Sequence, residues 1–569
     1  MGTWKLLFQN RKQLLENYKE RTVVKKKQVY AALLSLAVLC AGCSMAKTEE
    51  TTNNTSTSSL VTMDYTSLFS NRDYEIGYEE ESAGHITFTG TSAESDSSAV
   101  TVDNGVVTIG AEGTYILSGT LDSGMVVVNV SDTEKVQLVL DGVTITSPTS
   151  AAIYIPSADK VFITTAENSV NVLKNGGSYE NIDDNNIDGV IFAKSDITLN
   201  GTGTLQISAD VEHGVVSKDS LTITSGTYEI SVAGHGLSGK DSVAVADGSF
   251  TLTTGKDGIQ SDNQEDTEKG YIYLKGGSYT MNCQGDGVSA SNFLTVDGGT
   301  YEIVTGGGSA NGEVHTNTME MPTGMSGGMK GPMGNQQPPQ LPEGSETMTP
   351  PEGMEPPEGA TGDGMTPPEG MQPPEGDQAM TPPENMQQQP QTDTTTTQSS
   401  TETTTDDTTP STKGLKAGTD LIVTGGTFTV DCADDGFHSN GNVAYHDGTA
   451  QISSGGKAFH GDKSVVIENG TINIETCFEG LEAQNVTING GVIDLFATDD
   501  AINAASDTVS NKDDISITIT GGTITMDAGG DGLDSNGNIS ISGGTVFVSS
   551  AAQGADTPLD YDGTATITG

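Results

Sequence analysis

The chain repeats itself. Leu221–Lys240 (LTITSGTYEISVAGHGLSGK), Val243–Asp262 (VAVADGSFTLTTGKDGIQSD) and Ile272–Ser291 (IYLKGGSYTMNCQGDGVSAS) can be laid over one another. Each reads apolar-x-apolar, a Gly-centred turn, Thr or Ser, apolar-x-apolar, then a corner of the type Asp-Gly-apolar. The pattern recurs from Leu294, Leu421, Val465, Val486, Ile517 and Ile539. The Thr or Ser after the turn falls at Thr227, Ser249, Ser278, Thr300, Thr427, Thr449, Thr471, Thr523 and Thr545, with Val492 in its place once. The spacing is 22 residues, once 21, interrupted by insertions of about 7, 105 and 9 residues. Thr204 extends the array upstream, and looser alternating segments carry it back to about Val100.

Within each half-unit, apolar and polar residues alternate with period two, the signature of strands. One such unit cannot bury an apolar face alone, but copies stacked ~4.8 Å apart can. The expected fold is therefore all-β, a right-handed parallel β-helix with 22-residue coils. The fixed register favours it over a β-sandwich with turns every 8–12 residues or so. The repeat places β-helix over residues 85–318 and 417–569, with 44–84 as a tether and lead-in. Residues 319–416 are a different material, because Met319–Pro410 holds 17 of the 20 Pro and 11 of the 17 Met and then runs into Thr, Ser and Gln. Nothing there can form a core, so a disordered excursion from one corner is expected. Ile567-Thr568-Gly569 falls in the first half of a further unit, which predicts an array truncated there or an edge that pairs with a partner.

The formal charge is −52, and Arg72 is the only Arg beyond residue 42. Such a surface repels nucleic acid and anionic lipid and suits a hard cation with oxygen ligands. Residues 25–43 run from Lys25-Lys26-Lys27 through an apolar stretch to Cys40-Ala41-Gly42-Cys43, a secretory signal too short for a stable membrane span. Ala41-Gly42-Cys43 resembles a bacterial lipobox, although Cys40 stands where Leu is usual. Residues 1–43 are thus read as a signal peptide with lipidation at Cys43, and the protein as a secreted, cell-surface lipoprotein of a bacterium that meets the membrane only through that lipid. Cys283, Cys432 and Cys477 are an odd set without close spacing and read as small buried hydrophobes.

Stacking turns repeat positions into columns. Eight residues after each anchor come His235, Asp257, Asp286, Gly308, Asp435, Lys457, Glu479, Asp500 and Asp531. Carboxylates about one coil apart repel one another unless a cation lies between them. Within the pattern Asp-Gly-apolar-x-Ser-Asp/Asn, Asp262, Asn440 and Asn536 add further oxygens, and Asp534 flanks the column. Ca²⁺ is expected on part of this face, with Asp257, Asp262, Asp286, Asp435, Asn440, Asp531, Asp534 and Asn536 as candidate ligands. The alternative is a solvated row of corner Asp that stabilises turns through its own backbone. A second column, Lys194, Lys218 and Lys240, can hold the carboxylates of an acidic polysaccharide or pair with Asp196, Asp219 and Asp241. Gly529–Asp534 matches the calcium nonapeptide of β-roll toxins only once, at the wrong period, and is discounted.

Gly113–Thr120 (GTYILSGT), Val136–Ile145 (VQLVLDGVTI), Ala193–Asp196, Ser217–Asp219 and Lys256–Tyr273 (KDGIQSDNQEDTEKGYIY) resemble an extracellular bacterial family described only as carbohydrate-binding. Its members are similar to clostridial β-helix lipoproteins that bind polygalacturonate and carry calcium. The resemblance runs from about Thr87 to the C-terminus, around the Met/Pro-rich insertion. It implies a cell-surface protein that binds acidic polysaccharide with calcium and without catalysis. Two other readings stand beside it. One is a pectate-lyase-like enzyme with Lys194, Lys218 or Lys240 as its base, and the other is an adhesin or structural surface protein without a glycan ligand.

Overall fold

The structure, a computed structural model, describes residues 65–180, 182–314, 411–551 and 556–569. It is all-β, with no α-helix among the described residues and only short 3₁₀ turns. From Gly113 onward the pairings are parallel, each strand bonded to the equivalent strand of the turns before and after it. The result is a solenoid-like stack. Two antiparallel pairs, Gly84–Gly90 with Ala93–Ser95 and Val100–Asp103 with Val106–Ile109, stand at its beginning.

Each coil has three strands. In one coil they are Ser220–Ile223, Thr227–Val232 and Leu237–Gly239; in the next, Ser242–Val245, Ser249–Thr254 and Ile259–Ser261. The sequence anchors meet in register: Thr227 opposite Ser249, Ser249 opposite Ser278, Ser278 opposite Thr300. Thr300 then pairs with Thr427 across the long insertion. The alternate residues point inward and form one continuous core from Ile86 to Ile539.

The residue after the anchor is aromatic in five successive coils. Tyr228, Phe250, Tyr279, Tyr301 and Phe428 stack face to face with ring centroids 4.7–5.2 Å apart. Coil spacing and ring spacing match, so each of the three inner rings gains a stacking contact on both sides. The Tyr hydroxyls would be stranded in such a core. Tyr279 Oη instead donates to Gly276 O (2.8 Å), and Tyr228 and Tyr301 do the same at their own turns. Gly277 shows why the turn needs glycine: its φ is +108°, and a Cβ there would sit 3.1 Å from the Tyr279 ring. Cys283, Cys432 and Cys477 are free and buried, as packing residues should be.

Two observations refine the boundaries drawn from the sequence. Leu415–Ala417 is a strand between Val288–Ala290 and Phe437–Ser439, so residues 411–416 belong to a coil and not to the insertion. The rest of the expected insertion, 319–410, lies outside the described residues. In the lead-in, residues 65–75 lie as a strap along the first-strand face. Tyr65 stacks on Tyr273 at 4.3 Å, Arg72 sits over the Phe162 ring, and buried Asp73 pairs with Lys160 at 2.8 Å.

Candidate functional site

The corner between the second and third strands carries the expected column. Backbone bonds order it as His213, His235, Asp257, Asp286, Lys413, Asp435, Lys457, Glu479, Asp500 and Asp531, one per coil. Gly308 is not in it. The chain leaves the stack there and returns at Ser411, so Lys413 occupies the slot: Gly287 N–H donates to Lys413 O, and Gly414 N–H to Asp435 O (both 2.9 Å).

At this corner, wherever the column residue is His or Asp, its side chain accepts the backbone N–H of the next coil. Asp257 N–H donates to His235 Nδ1 (3.2 Å), Asp286 N–H to Asp257 Oδ1 (2.7 Å), and Lys413 N–H to Asp286 Oδ1 (2.7 Å). Lys457 N–H donates to Asp435 Oδ1 and Asp531 N–H to Asp500 Oδ1, both at 2.7 Å. Column Asp residues therefore stabilise the corner through the backbone of the next coil, giving those N–H groups the acceptor that buried donors require.

The second oxygen of each carboxylate divides the column. In the middle coils basic side chains face it at Asp286 and Asp435, but not at Asp257, where the nearby His235 Nδ1 accepts from Asp257 N–H and so has no proton to offer. Asp286 lies 3.5 Å from Lys416. Asp435 Oδ2 lies 2.8 Å from His438 Nδ1 and 2.9 Å from His460 Nδ1, with Lys413 at 3.9 Å. Burial would raise the Asp435 carboxyl, but those hydrogen bonds and the Lys413 charge outweigh it and hold it well below the usual range.

At the C-terminal end the neighbours are carboxylates. Burial, then the charges of Asp499, Asp534 and Asp531, push Asp500 up to about 7. Burial, then Asp531, Asp560, Asp562 and Asp499, push Asp534 up to about 6. Among the described residues no Lys or Arg pairs with Asp500, Asp531 or Asp534. This end has the donor chemistry of a hard-cation site, several carboxylate oxygens without a compensating charge. The middle coils do not.

Asp262, Asn440 and Asn536 are not beside their column partners. A three-residue strand, about 10 Å of extended backbone, separates the two corners. Backbone bonds put Asn440 and Asn536 in line with Lys194, Lys218 and Lys240, with Asp262 following Ser261 at the same corner. One ion cannot be shared by Asp257 and Asp262, or by Asp531 and Asn536. The lysines do form a column, yet not with the Asp partners considered above. Lys218 pairs with Asp188 (3.1 Å), and Asp241 with Lys269 (2.6 Å). Lys194 is exposed and Lys240 half-buried, and neither makes an ion pair among the described residues. Cys43 lies outside the described residues.

Sequence reasoning passed over the x of Asp-Gly-apolar-x-Ser. This position faces outward between the two corners and forms its own column: Gln260, Ser289, Lys416, His438, His460, Glu482, Asn503, Asp534 and Asp560. His438 bridges the two corners, with Nδ1 at Asp435 and Nε2 2.9 Å from Asn440 Oδ1. The period-two alternation, carried through this short strand, was the available signal.

A family model described as "Carbohydrate-binding domain-containing protein" matches residues 103–337, 375–458 and 456–567. A carbohydrate-binding domain-containing protein of Acetivibrio thermocellus is 48% identical over 167 residues, 29% of this chain, and the chain covers 58% of that relative's length. A solved structure of a polysaccharide lyase-like protein from C. thermocellum aligns with 40% of this chain and 92% of its own, at 32% identity and a TM-score of 0.39. The family match spans most of the solenoid, and this chain belongs to the family of carbohydrate-binding domain-containing proteins.

Proposed function

We propose that this protein binds an acidic polysaccharide of the polygalacturonate type along the outside of its solenoid, with Ca²⁺ as a cofactor. The observation that carries this reading is the lysine column: Lys194, Lys218 and Lys240 stand one per coil, with no ion pair among the described residues at Lys194 or Lys240. Their spacing of ~4.8 Å per coil suits a linear polymer with regularly placed carboxylates. An exposed Lys–carboxylate contact is worth only about 0.2–1 kcal/mol, so affinity must come from many contacts on one chain. The net charge opposes a polyanion, and Ca²⁺ at Asp500, Asp531 and Asp534 would lower that repulsion and can bridge protein and uronate oxygens. We read the stack as a right-handed parallel β-helix with 22-residue coils, since parallel crossovers take the right hand almost without exception. The secretory start and the lipobox-like Ala41-Gly42-Cys43 place it on a bacterial surface, held by lipid at Cys43.

The test is binding of polygalacturonate and of a neutral glucan by the purified protein, with Ca²⁺ and with EDTA. The expected outcome is selective, salt-sensitive binding that strengthens with polymer length and falls roughly 2–30-fold in Lys194→Ala/Lys240→Ala. Equal affinity for the neutral glucan, or an unaffected double variant, would refute the lysine column as the binding surface.

A further inference from the structure

Five coils along from the first histidine of the corner column, Asp435, His438 and His460 converge as no other described group of side chains does. Their ligand atoms, one from each residue, all lie within 4.8 Å of one another. We propose that these three residues form a binding site for one divalent transition-metal ion of the Zn²⁺ class, separate from the calcium reading and independent of it.

The argument starts from proton counting. A neutral imidazole carries one N–H, so one of its nitrogens donates and the other accepts. Both nitrogens of His438 face acceptor oxygens: Nδ1 faces Asp435 Oδ2 at 2.8 Å and Nε2 faces Asn440 Oδ1 at 2.9 Å. His460 repeats half of this, with Nδ1 2.9 Å from the same Asp435 oxygen, whereas Nε2 is 3.8 Å from Asp462 Oδ1, beyond hydrogen-bond reach. Two neutral rings hold two protons for these three positions. If Nε2–H of His438 turns to Asn440 and that of His460 outward, two Nδ1 lone pairs converge on one carboxylate oxygen, and a cation must stand among them. Two neutral rings that send both Nδ1–H groups to Asp435, with the Asn440 amide turned so that its N–H₂ donates to His438 Nε2, are one competing solution. Full protonation of both rings is the other. It would gather two imidazolium charges around one carboxylate that already has Lys413 at 3.9 Å.

A metal resolves the same geometry with the proton positions a metal site uses. Ligating histidines donate their second N–H to an oxygen of the surroundings, the place that Asn440 takes here for His438. Two imidazole nitrogens and one carboxylate oxygen select Zn²⁺, Co²⁺, Ni²⁺ or Cu²⁺ over Ca²⁺. Ligand atoms of a tetrahedral Zn²⁺ stand about 3.4 Å apart, so Asp435 must withdraw by about half an ångström from each ring, and the two ring nitrogens, within 4.8 Å of each other, must draw together around the ion. The ring of His460 is partly open to solvent, leaving the fourth position for water or a hydroxyl of a bound ligand. The surrounding charges nearly balance: Lys413 pairs with Asp434, Lys457 with Glu482 (2.9 Å), and Lys416 with Asp286 (3.5 Å). The register produces the site, because His438 and His460 are paired neighbours in the outward column and Asp435 precedes His438 by one inward residue and a glycine.

The experiment is titration of the full chain, stripped of metal, with Zn²⁺ by calorimetry, and with less than one equivalent of Cu²⁺ by electron paramagnetic resonance. The expected result is one saturable Zn²⁺ per chain. His460→Gln should weaken it at least a hundredfold, Asn440→Leu roughly 10–100-fold, and Asp534→Asn not at all. The Cu²⁺ spectrum of the unaltered chain should show coupling to two imidazole nitrogens, a readout that does not depend on how any variant folds. No saturable Zn²⁺, unchanged affinity in His460→Gln, or a Cu²⁺ spectrum without imidazole nitrogen would each overturn the site. None of these outcomes bears on the lysine column or on polygalacturonate binding.

Discussion

Asp73 shows how much one residue can hold in place. It is 1% exposed. It accepts from Ser70 N–H (2.8 Å), from Ser70 Oγ (2.7 Å) and from Thr198 Oγ1 (2.5 Å), and pairs with Lys160. Burial alone would raise its carboxyl, but the bonds from Lys160, Thr198 and Ser70 together lower it. A carboxyl depressed in the folded state contributes stability above its unfolded pKa, near 3.9, and loses it as pH falls through the folded value. Docking of the strap is therefore strong at neutral pH and weakens below about pH 4. Asp73→Asn removes the charge and leaves Lys160 without its partner, which should cost about 2 kcal/mol of strap docking. Arg72 supplies the assay, since it is the only Arg beyond residue 42 and is held under the strap by Gln137 at 3.0 Å. Tryptic cleavage after Arg72 should be roughly thirtyfold faster in Asp73→Asn when opening is fast relative to cleavage. An unchanged rate would mean that the strap does not depend on this carboxylate.

At the scale of elements, the strands and their stacking could be read from the sequence because period-two alternation and a fixed repeat leave one register that buries every apolar set. Thr300 opposite Thr427 is the strongest case, a pairing inferred across more than a hundred residues and found. The corners were less legible. Gly308 counted correctly to the column position, but the chain departs there, and Lys413 completes the coil from the far side of the insertion. Counting from an anchor cannot detect where a coil is interrupted. His438 and His460 escaped notice because a lone His at an outward position has no signal until its neighbour in the next coil is known. The insertion also yields a prediction. Thr305 Oγ1 donates to Thr412 O at 2.5 Å, so the stack is already closed across the gap. Replacing residues 319–410 with about eight Gly/Ser residues shortens the loop by about three doublings, each worth about 0.6 kcal/mol of closure entropy. The variant should keep its β circular dichroism and gain up to about 2 kcal/mol against denaturant. Loss of the strand signal would show that the segment is structural.

At the largest scale, the described coils form a stack in which each pairs with its neighbours, so stability is local and a ligand at one end is felt mainly there. This decides how the calcium reading should be tested. Asp500 and Asp534 are held at about 7 and about 6, against about 3.9 for an unfolded Asp. Between roughly pH 4 and pH 7 the native C-terminal coils bind protons that the unfolded chain has released, so ∂ΔG/∂pH is negative there. Their contribution is complete below the unfolded value and is lost as pH rises through 6 and 7. At pH 8 the carboxylates are charged and crowded, and Ca²⁺ can take the place of the protons. A ligand at a hundred times its Kd stabilises the state that binds it by about 2.7 kcal/mol. Hydrogen exchange with Ca²⁺ and with EDTA should therefore show slowed amides across Ser516–Ile519, Thr523–Ala528 and Leu533–Ser535 at pH 8. At pH 5 the two conditions should nearly coincide, because Ca²⁺ must first displace bound protons. The coils from Ser220 to Val296 should be indifferent to Ca²⁺ at either pH, since Asp286 already faces Lys416 and Asp257 has no second uncompensated column carboxylate beside it. Protection of equal size at both pH values, or spread evenly along the stack, would separate calcium binding from this acidic end and remove it from the account.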